Sequence, residues 1–399
     1  MKTFLLSLAW LVALEKLVCA AEPPVPKFRT VEIDAKIEIG YGVAVADING
    51  DGKPDIVLAD KKQIVWYENP GWQKHVIAEN LTELDNVCIA VQDIDGDGKA
   101  EIAVGAGWNP NDTVNSGAVF YLIPPADRTQ RWTPVELPHE PTVHRMKWVR
   151  NEAGKYELVV VPLHGRGNTN GVGAGVRILA YEMPADPKQP WKTHLIDDSM
   201  HMTHNFQVVL PSREKGTNPA IIVAAKEGVF QFWREKGKWE KSQLFLDPVA
   251  NPGFPTGEIR LSQFVNFYTT IEPMHGNQVV YYVYSYEKGA NRWVRTVLDS
   301  SLKEGHALAC GDLLGIKDDQ VLAGWRGKNA DAKAGIVMFT WTGDGSGQPH
   351  SWRKTVIDDN MACEDLCLAD LNGDGKLDII ASGRATHNLK VYFNETGKP

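Results

Sequence analysis

Two sets of residues in this sequence have types and spacings suited to chemistry. The first is a series of hard oxygen donors. Asp47, Asn49, Asp51 and Asp55 stand at positions 1, 3, 5 and 9 of one loop, and two further sets repeat that spacing: Asp93, Asp95, Asp97 and Glu101, and Asp370, Asn372, Asp374 and Asp378. Alternate side chains of a tight turn converge on one point, and carboxylate and amide oxygens in that pattern suit calcium rather than zinc. Glycines between the donors, such as Gly50 and Gly52, permit the positive φ that the turn needs. The loops resemble EF-hand loops in donor spacing, but strand-like runs flank them and no Glu stands at position 12. The expected role of these carboxylates is structural. Asp312 to Asp319 reads as a degenerate copy without the ligands.

The second set is made of imidazole, guanidinium and indole groups, and its meaning depends on the elements that carry it. Each acidic loop joins two alternating apolar runs: Val43 to Val57, Ile89 to Val104 and Leu366 to Ile380. That pattern is a β-hairpin closed by a metal-binding turn. A third strand follows, such as Ile64-Val65-Trp66-Tyr67 or the run from Leu389 to Phe393, and a fourth opens with Trp, as in Trp72 to Ile77. Trp132, Trp191, Trp239, Trp293 and Trp352 mark further fourth strands, and innermost strands begin near Tyr41, Asn86, His144, His204, Glu258, His306 and Asp365. The period predicts an all-β, seven-bladed β-propeller with calcium-binding hairpin loops. The last unit offers three strands up to Asn394, and the alternating segment Phe28 to Ile33 has no partner of its own. It is expected to supply the missing outer strand and close the ring, which removes an open sheet edge.

Hairpin register puts the starts of first strands and the ends of second strands on one face, opposite the acidic loops. The starts are Tyr41, Asn86, His144, His204, Asn205, His306 and Asp365. The ends are Lys61, Trp108, His164, Arg166, Lys226, Glu227, His275, Trp325, Arg326 and Arg384. Polar residues are common where strands meet solvent, but several His, several Arg and two Trp around one concave mouth read as a ligand site. His144 and His164 at opposite ends of one hairpin are expected to meet there. The glycine-rich loop from Gly165 to Gly175, apolar only at Val172, is expected to arch over the mouth. His201 and His204, at i and i+3, form a candidate zinc pair.

The hairpins resemble the FG-GAP or VCBS repeats of secreted propellers. More narrowly, the run from His144 through Pro162–Gly171 (PLHGRGNTNG) to Asp197–Phe206 (DDSMHMTHNF) resembles the propeller domain of aldos-2-ulose dehydratases, which remove water from keto-sugars. Propeller-type ulvan lyases share the theme of two His from one blade plus Tyr and Arg, although no Tyr here matches theirs. No stretch corresponds to the dehydratase's cupin and C-terminal domains, so its second, isomerase activity is not expected. The resemblance implies β-elimination on a carbohydrate. That reaction needs a base near neutral pKa, a cation to hold enolate charge and an acid for the leaving oxygen. His144 and His164 are the expected base and acid, in either order, with Arg166 or Arg260 on the enolate. His201, His204 and His306 are expected to bind metal or substrate. Asn86, Trp108, Trp325, Arg326, Asp365 and Arg384 are expected to line the substrate site, the two Trp by stacking on sugar rings. The rivals are a propeller that only binds carbohydrate or protein, and a hydrolase using Glu364 with Asp365.

The remaining features bound the setting. The 399 residues carry a formal charge of −8 with no offsetting basic run, which argues against nucleic acid or an anionic membrane as partner. Residues 1–21, with Lys2, an apolar stretch from Phe4 to Leu14 and Cys19-Ala20-Ala21, read as an export signal too short to span a bilayer, so a secreted or periplasmic location is expected. Cys88, Cys310, Cys363 and Cys367 remain. Three of them alternate with apolar residues as small hydrophobes, and no disulfide framework is implied.

Overall fold

The computed structural model describes residues 22–209, 219–245, 254–264, 267–287, 290–343 and 351–397. The expected export signal, residues 1–21, lies outside them. The described residues form seven four-stranded antiparallel sheets, a seven-bladed β-propeller. Six blades take consecutive strands in chain order. The seventh joins Phe28–Asp34 to Asn388–Asn394, Asp378–Gly383 and Cys363–Ala369, with Phe28 opposite Asn394. No helix among the described residues is long and apolar enough to cross a membrane.

The hydrophobic pattern explains the layering. Second strands such as Asp55–Ala59, Glu101–Ala106, Ala220–Ala225 and Asp378–Gly383 are buried along their whole length. Both faces of these strands meet neighbouring blades, and their side chains are correspondingly apolar on both. Outer strands such as Trp352–Asp358 have one face in water and alternate. The core therefore lies between blades: Val57, Ile64 and Trp66 of blade one, for example, pack with Ile102, Val104 and Phe120 of blade two. Close packing near the axis selects small residues. A β-carbon on Gly105 would stand 2.5 Å from Cys88 Sγ, and one on Gly324 would stand 2.5 Å from Cys363 Sγ. All four described cysteines are free.

Inner strands line the central channel, and an irregularity recurs at their starts. Pairing register shifts between Val143 and Arg145 in blade three, Thr203 and Phe206 in blade four, Gly305 and Ala307 in blade six, and Cys363 and Asp365 in blade seven. A bulge adds one residue and re-aims its side chain. The residues within these four shifts include His144, His204, His306 and Glu364.

Candidate functional site

The bulged residues converge. His204 Nε2 lies 2.6 Å from Nε2 of His275, which follows the second strand of blade five. The His306 ring stands 4.8 Å from that of His275 and 5.3 Å from that of His204. Donor nitrogens of His204, His275 and His306 all fall within 4.8 Å of one another. His144 stands alongside, its ring 4.7 Å from His204 and stacked on Trp108 at 5.1 Å.

Each bulged imidazole is oriented by the next bladed inner strand. His144 Nδ1 is 2.8 Å from the His204 carbonyl, His204 Nδ1 is 3.0 Å from the Gly257 carbonyl, and His306 Nδ1 is 2.5 Å from the Glu364 carbonyl. A carbonyl only accepts, so Nδ1 carries the proton and Nε2 keeps its lone pair. Outer hydrogen bonds of this kind fix the tautomer of metal-ligating histidines. Electrostatics act the same way. Burial, then Arg145 and His204, hold His144 well below the ordinary imidazole value. Burial and Arg145 do so for His204, and burial, Arg326 and His275 for His306. His275 has an exposed outer edge, yet loss of solvation around its ring, with His204, Arg326 and Arg145, also pushes it down. The nitrogens of His204, His275 and His306 form a three-imidazole donor set of a kind that suits zinc. Two Nε2 atoms face each other with at most one proton between them, a contact that a shared cation would satisfy.

Charged residues surround the cluster. Glu364 is 1% exposed and receives both Arg326 Nη1 bonds at 2.9 Å and an Arg384 bond at 3.1 Å. The Arg384 guanidinium lies over the Tyr41 ring, and the Tyr41 hydroxyl donates to Asp85 at 3.2 Å. Glu258 is fully buried. Its Oε2 accepts from Asn205 at 2.7 Å, Arg260 Nη2 stands 3.5 Å from it, and burial raises its pKa. Arg145 Nη1 lies 3.2 Å from His144 Nε2.

Several expected positions differ. His164 does not join the cluster: it bridges to Met202, its backbone N–H donates to Thr142 Oγ1, and its Nδ1 is buried without a partner. The bulge before Arg145 turns His144 toward blade four instead. His201 is held by Glu227 at 2.8 Å, so the nitrogens that converge with those of His204 belong to His275 and His306 rather than to His201. Arg166 bonds Val114 and Glu140 at the rim. Trp325 is a core residue whose indole donates to the Lys333 carbonyl, which removes it as a stacking platform. Asn86 is buried and donates to the Asp60 carbonyl. Asp365 accepts the backbone amides of Val43 and Leu366. The loop of residues 165–175 ties blade three to its neighbours: Gly167 N donates to Thr113, and Asn168 Nδ2 donates to the Ala174 and His201 carbonyls. Glu364 is fully engaged by the two arginines and is not paired with Asp365 for hydrolysis. Arg145 was not singled out in the sequence because it lies inside a strand, and only the cation's position on the channel axis gives it meaning.

The three acidic loops share one geometry. Asp47, Asp93 and Asp370 each accept amides three and five residues on. The intervening glycines, among them Gly50, Gly52, Gly96 and Gly98, have φ from 74° to 87°. Position 9 turns inward. Asp55 Oδ2 accepts from Ile48 and Oδ1 from Asn69, and Asp378 does the same with Leu371 and Asn394. Burial raises Asp55 to about 6 and Glu101 to about 7. Asp93, Asp95 and Glu101 bring their oxygens within 4.8 Å of one another. An all-oxygen set with a carboxylate penalised by burial fits a hard divalent cation. In blade six Asp312 survives, but Leu314 and Ile316 replace donors and pack into the core, and Gln320 Oε1 takes over the amides of Leu313 and Leu314.

With the histidine centre located, similarity to known proteins can be placed on it. Residues 116–285 match the β-propeller domain of aldos-2-ulose dehydratase. Residues 38–104 and 89–122 match FG-GAP repeats. Aldos-2-ulose dehydratase of Phanerodontia chrysosporium is 24% identical over 238 residues, which cover 53% of this chain and 26% of that protein. The chain thus spans about a quarter of that relative's length. Among solved structures, BBS1N in complex with ARL6DN has a TM-score of 0.54 at 14% identity, covering 94% of this chain and 99% of that one. A chain of the mitotic checkpoint complex also scores 0.54, at 12% identity and 98% coverage of each. Such likeness reports the propeller fold alone.

Proposed function

We propose that this protein is a carbohydrate-active carbon–oxygen lyase that performs β-elimination on a keto-sugar or uronate-type saccharide. The observation that carries the reading is the convergence of His144, His204, His275 and His306, with three Nδ1 protons committed to carbonyls. The similarity to the dehydratase propeller supports the substrate class. Residues 116–285 include His144, His204 and His275.

His144 is the base. Its Nδ1 proton is committed, and burial and Arg145, whose Nη1 bonds Nε2, hold the ring neutral and below the near-neutral pKa that suits a base. In this reading bound substrate takes over Arg145, frees Nε2 and lets it remove the proton α to the substrate carbonyl. The C–H electron pair becomes the new C=C, the β C–O bond breaks, and the departing oxygen takes the proton back from His144. A zinc ion held by His204, His275 and His306 would supply a Lewis acid for the developing enolate. Trp108 backs the His144 ring and limits its rotation.

The acidic loops are structural calcium sites in this reading, and the pairing of Phe28–Asp34 with Asn388–Asn394 closes the ring. Export, read from residues 1–21, would place both in a calcium-containing compartment. The test loads the protein with zinc and follows ultraviolet absorbance from a conjugated C=C on keto-sugars and uronate polysaccharides. Wild type should give signal, and His144→Ala and His306→Ala should lose it while circular dichroism is unchanged. Silence from both substrate classes, with one zinc bound per chain, would leave a propeller that only binds.

A further inference from the structure

Behind the histidines the channel widens into a cavity of about 1050 Å³ that runs toward the acidic-loop face. Its lining begins at Tyr41, Asn205 and Asp365, next to the imidazoles, and reaches the exposed Gln263 and Phe264. The volume suits a mono- or disaccharide. Its charge is the unexplained feature. Arg145, Lys147 and Arg260 all enter it. Arg145 and Lys147 alternate on one strand and so face the same way.

These cations are poorly matched by fixed anions. Two buried carboxylates offset these three cations only in part: Glu258 stands 3.5 Å from Arg260 and also bonds Asn205, and Asp365, which accepts two backbone amides, acts on Arg145 and Lys147 through space. Among the described residues, Arg145 and Lys147 form no ion pair. Lys147 is half-buried, with its ammonium 6.0 Å from the centroid of the Phe206 ring. Burial, then Arg260 and Arg145, push its pKa down. Like charges held in an enclosed, low-dielectric channel repel one another unless an anion joins them.

We propose that this channel binds an acidic saccharide, with its carboxylate between Arg145 and Lys147 and its ring in the cavity toward Phe264. The saccharide part rests on the carbohydrate reading above, and the anionic part does not. Arg145 can take a carboxylate through two N–H groups, and Lys147 adds a point charge. Because Arg145 also touches His144, the site lies against the elimination centre rather than apart from it.

The test is isothermal titration calorimetry on the full chain with D-glucuronate, D-glucose and inorganic phosphate. Glucuronate should bind, and glucose should bind at least tenfold more weakly. Lys147→Met should weaken glucuronate at least tenfold, Lys147→Arg should restore much of the loss, and added salt should weaken wild type progressively. Arg145→Gln serves as a second variant, with thermal melts confirming that each folds. No glucuronate heat from folded wild type, or glucuronate bound by Lys147→Met and Arg145→Gln as tightly as by wild type, would refute the proposal. Phosphate as tight as glucuronate would refute the saccharide assignment. The assay reads binding, so it stands even if no elimination is detected, and elimination without glucuronate binding would leave the lyase reading intact.

Discussion

Asp378 offers a quantitative test of how the loops hold the ring. Its carboxylate is fully buried and accepts Leu371 N at 3.0 Å within the loop and Asn394 N at 2.8 Å on the neighbouring strand. Asn394 pairs in turn with Phe28. Charge-assisted bonds of this kind contribute roughly 1.5–3 kcal/mol each. Burial raises the Asp378 pKa, so part of that gain is offset by the cost of keeping the charge. Asp378→Ala, which strands two buried amides, should therefore cost about 2–4 kcal/mol. Asp378→Asn keeps one acceptor and should cost about half as much, because its NH₂ must face one of the amides. Chemical denaturation with calcium chelated isolates this effect from metal binding. Hydrogen exchange should show both amides losing protection in the Ala variant and only one in the Asn variant. An Ala variant within about 1 kcal/mol of wild type under chelation would show that the amides find other partners and that the carboxylate's role is purely metal-binding.

Three further outcomes are expected. Calcium at a hundredfold over its dissociation constant should stabilise the fold by about 2.7 kcal/mol per site, read as a melting temperature that falls on chelation; no shift would remove calcium from the loops. His275→Ala should abolish stoichiometric zinc binding by metal analysis, whereas His201→Ala should leave it intact. Asp358 links blades six and seven. Burial alone would raise it, but Lys390, Tyr392 and the Asn360 amide outweigh that and hold it below the ordinary aspartate value. A depressed carboxylate stabilises above its unfolded pKa and loses that contribution as pH falls through the folded value. Asp358→Asn should therefore destabilise by about 1–2 kcal/mol at pH 7, with the difference shrinking below pH 4 in pH-dependent denaturation.

The parts of the molecule legible in the sequence are those set by neighbours along the chain. The donors of an acidic loop lie within nine residues, so Asp47 to Asp55 announce their turn directly. The blade count followed from Trp residues and apolar alternation, both local. The site depends on contacts between blades, and these have no local signature. His144 and His164 look like partners because simple hairpin register brings them together, but one extra residue at the strand start turns His144 toward His204, 60 positions away. The signal was present in a weaker form. His144, His204, His306 and Glu364 occupy equivalent bulged places, and reading those positions across blades, rather than within one, points at the axis. Trp325 misled for the opposite reason: a strand-end indole reads as a rim residue until its neighbours cover it.

The imidazole-to-carbonyl bonds also set an order of events. His144 depends on blade four for its acceptor, His204 on blade five and His306 on blade seven, whose outer strand comes from the other end of the chain. A nascent chain ending at blade four thus has His144 and His204 but neither His275 and His306 nor the acceptor that orients His204. In the proposed metal centre, cation capture would therefore follow closure of the circle, when all the acceptors are in place.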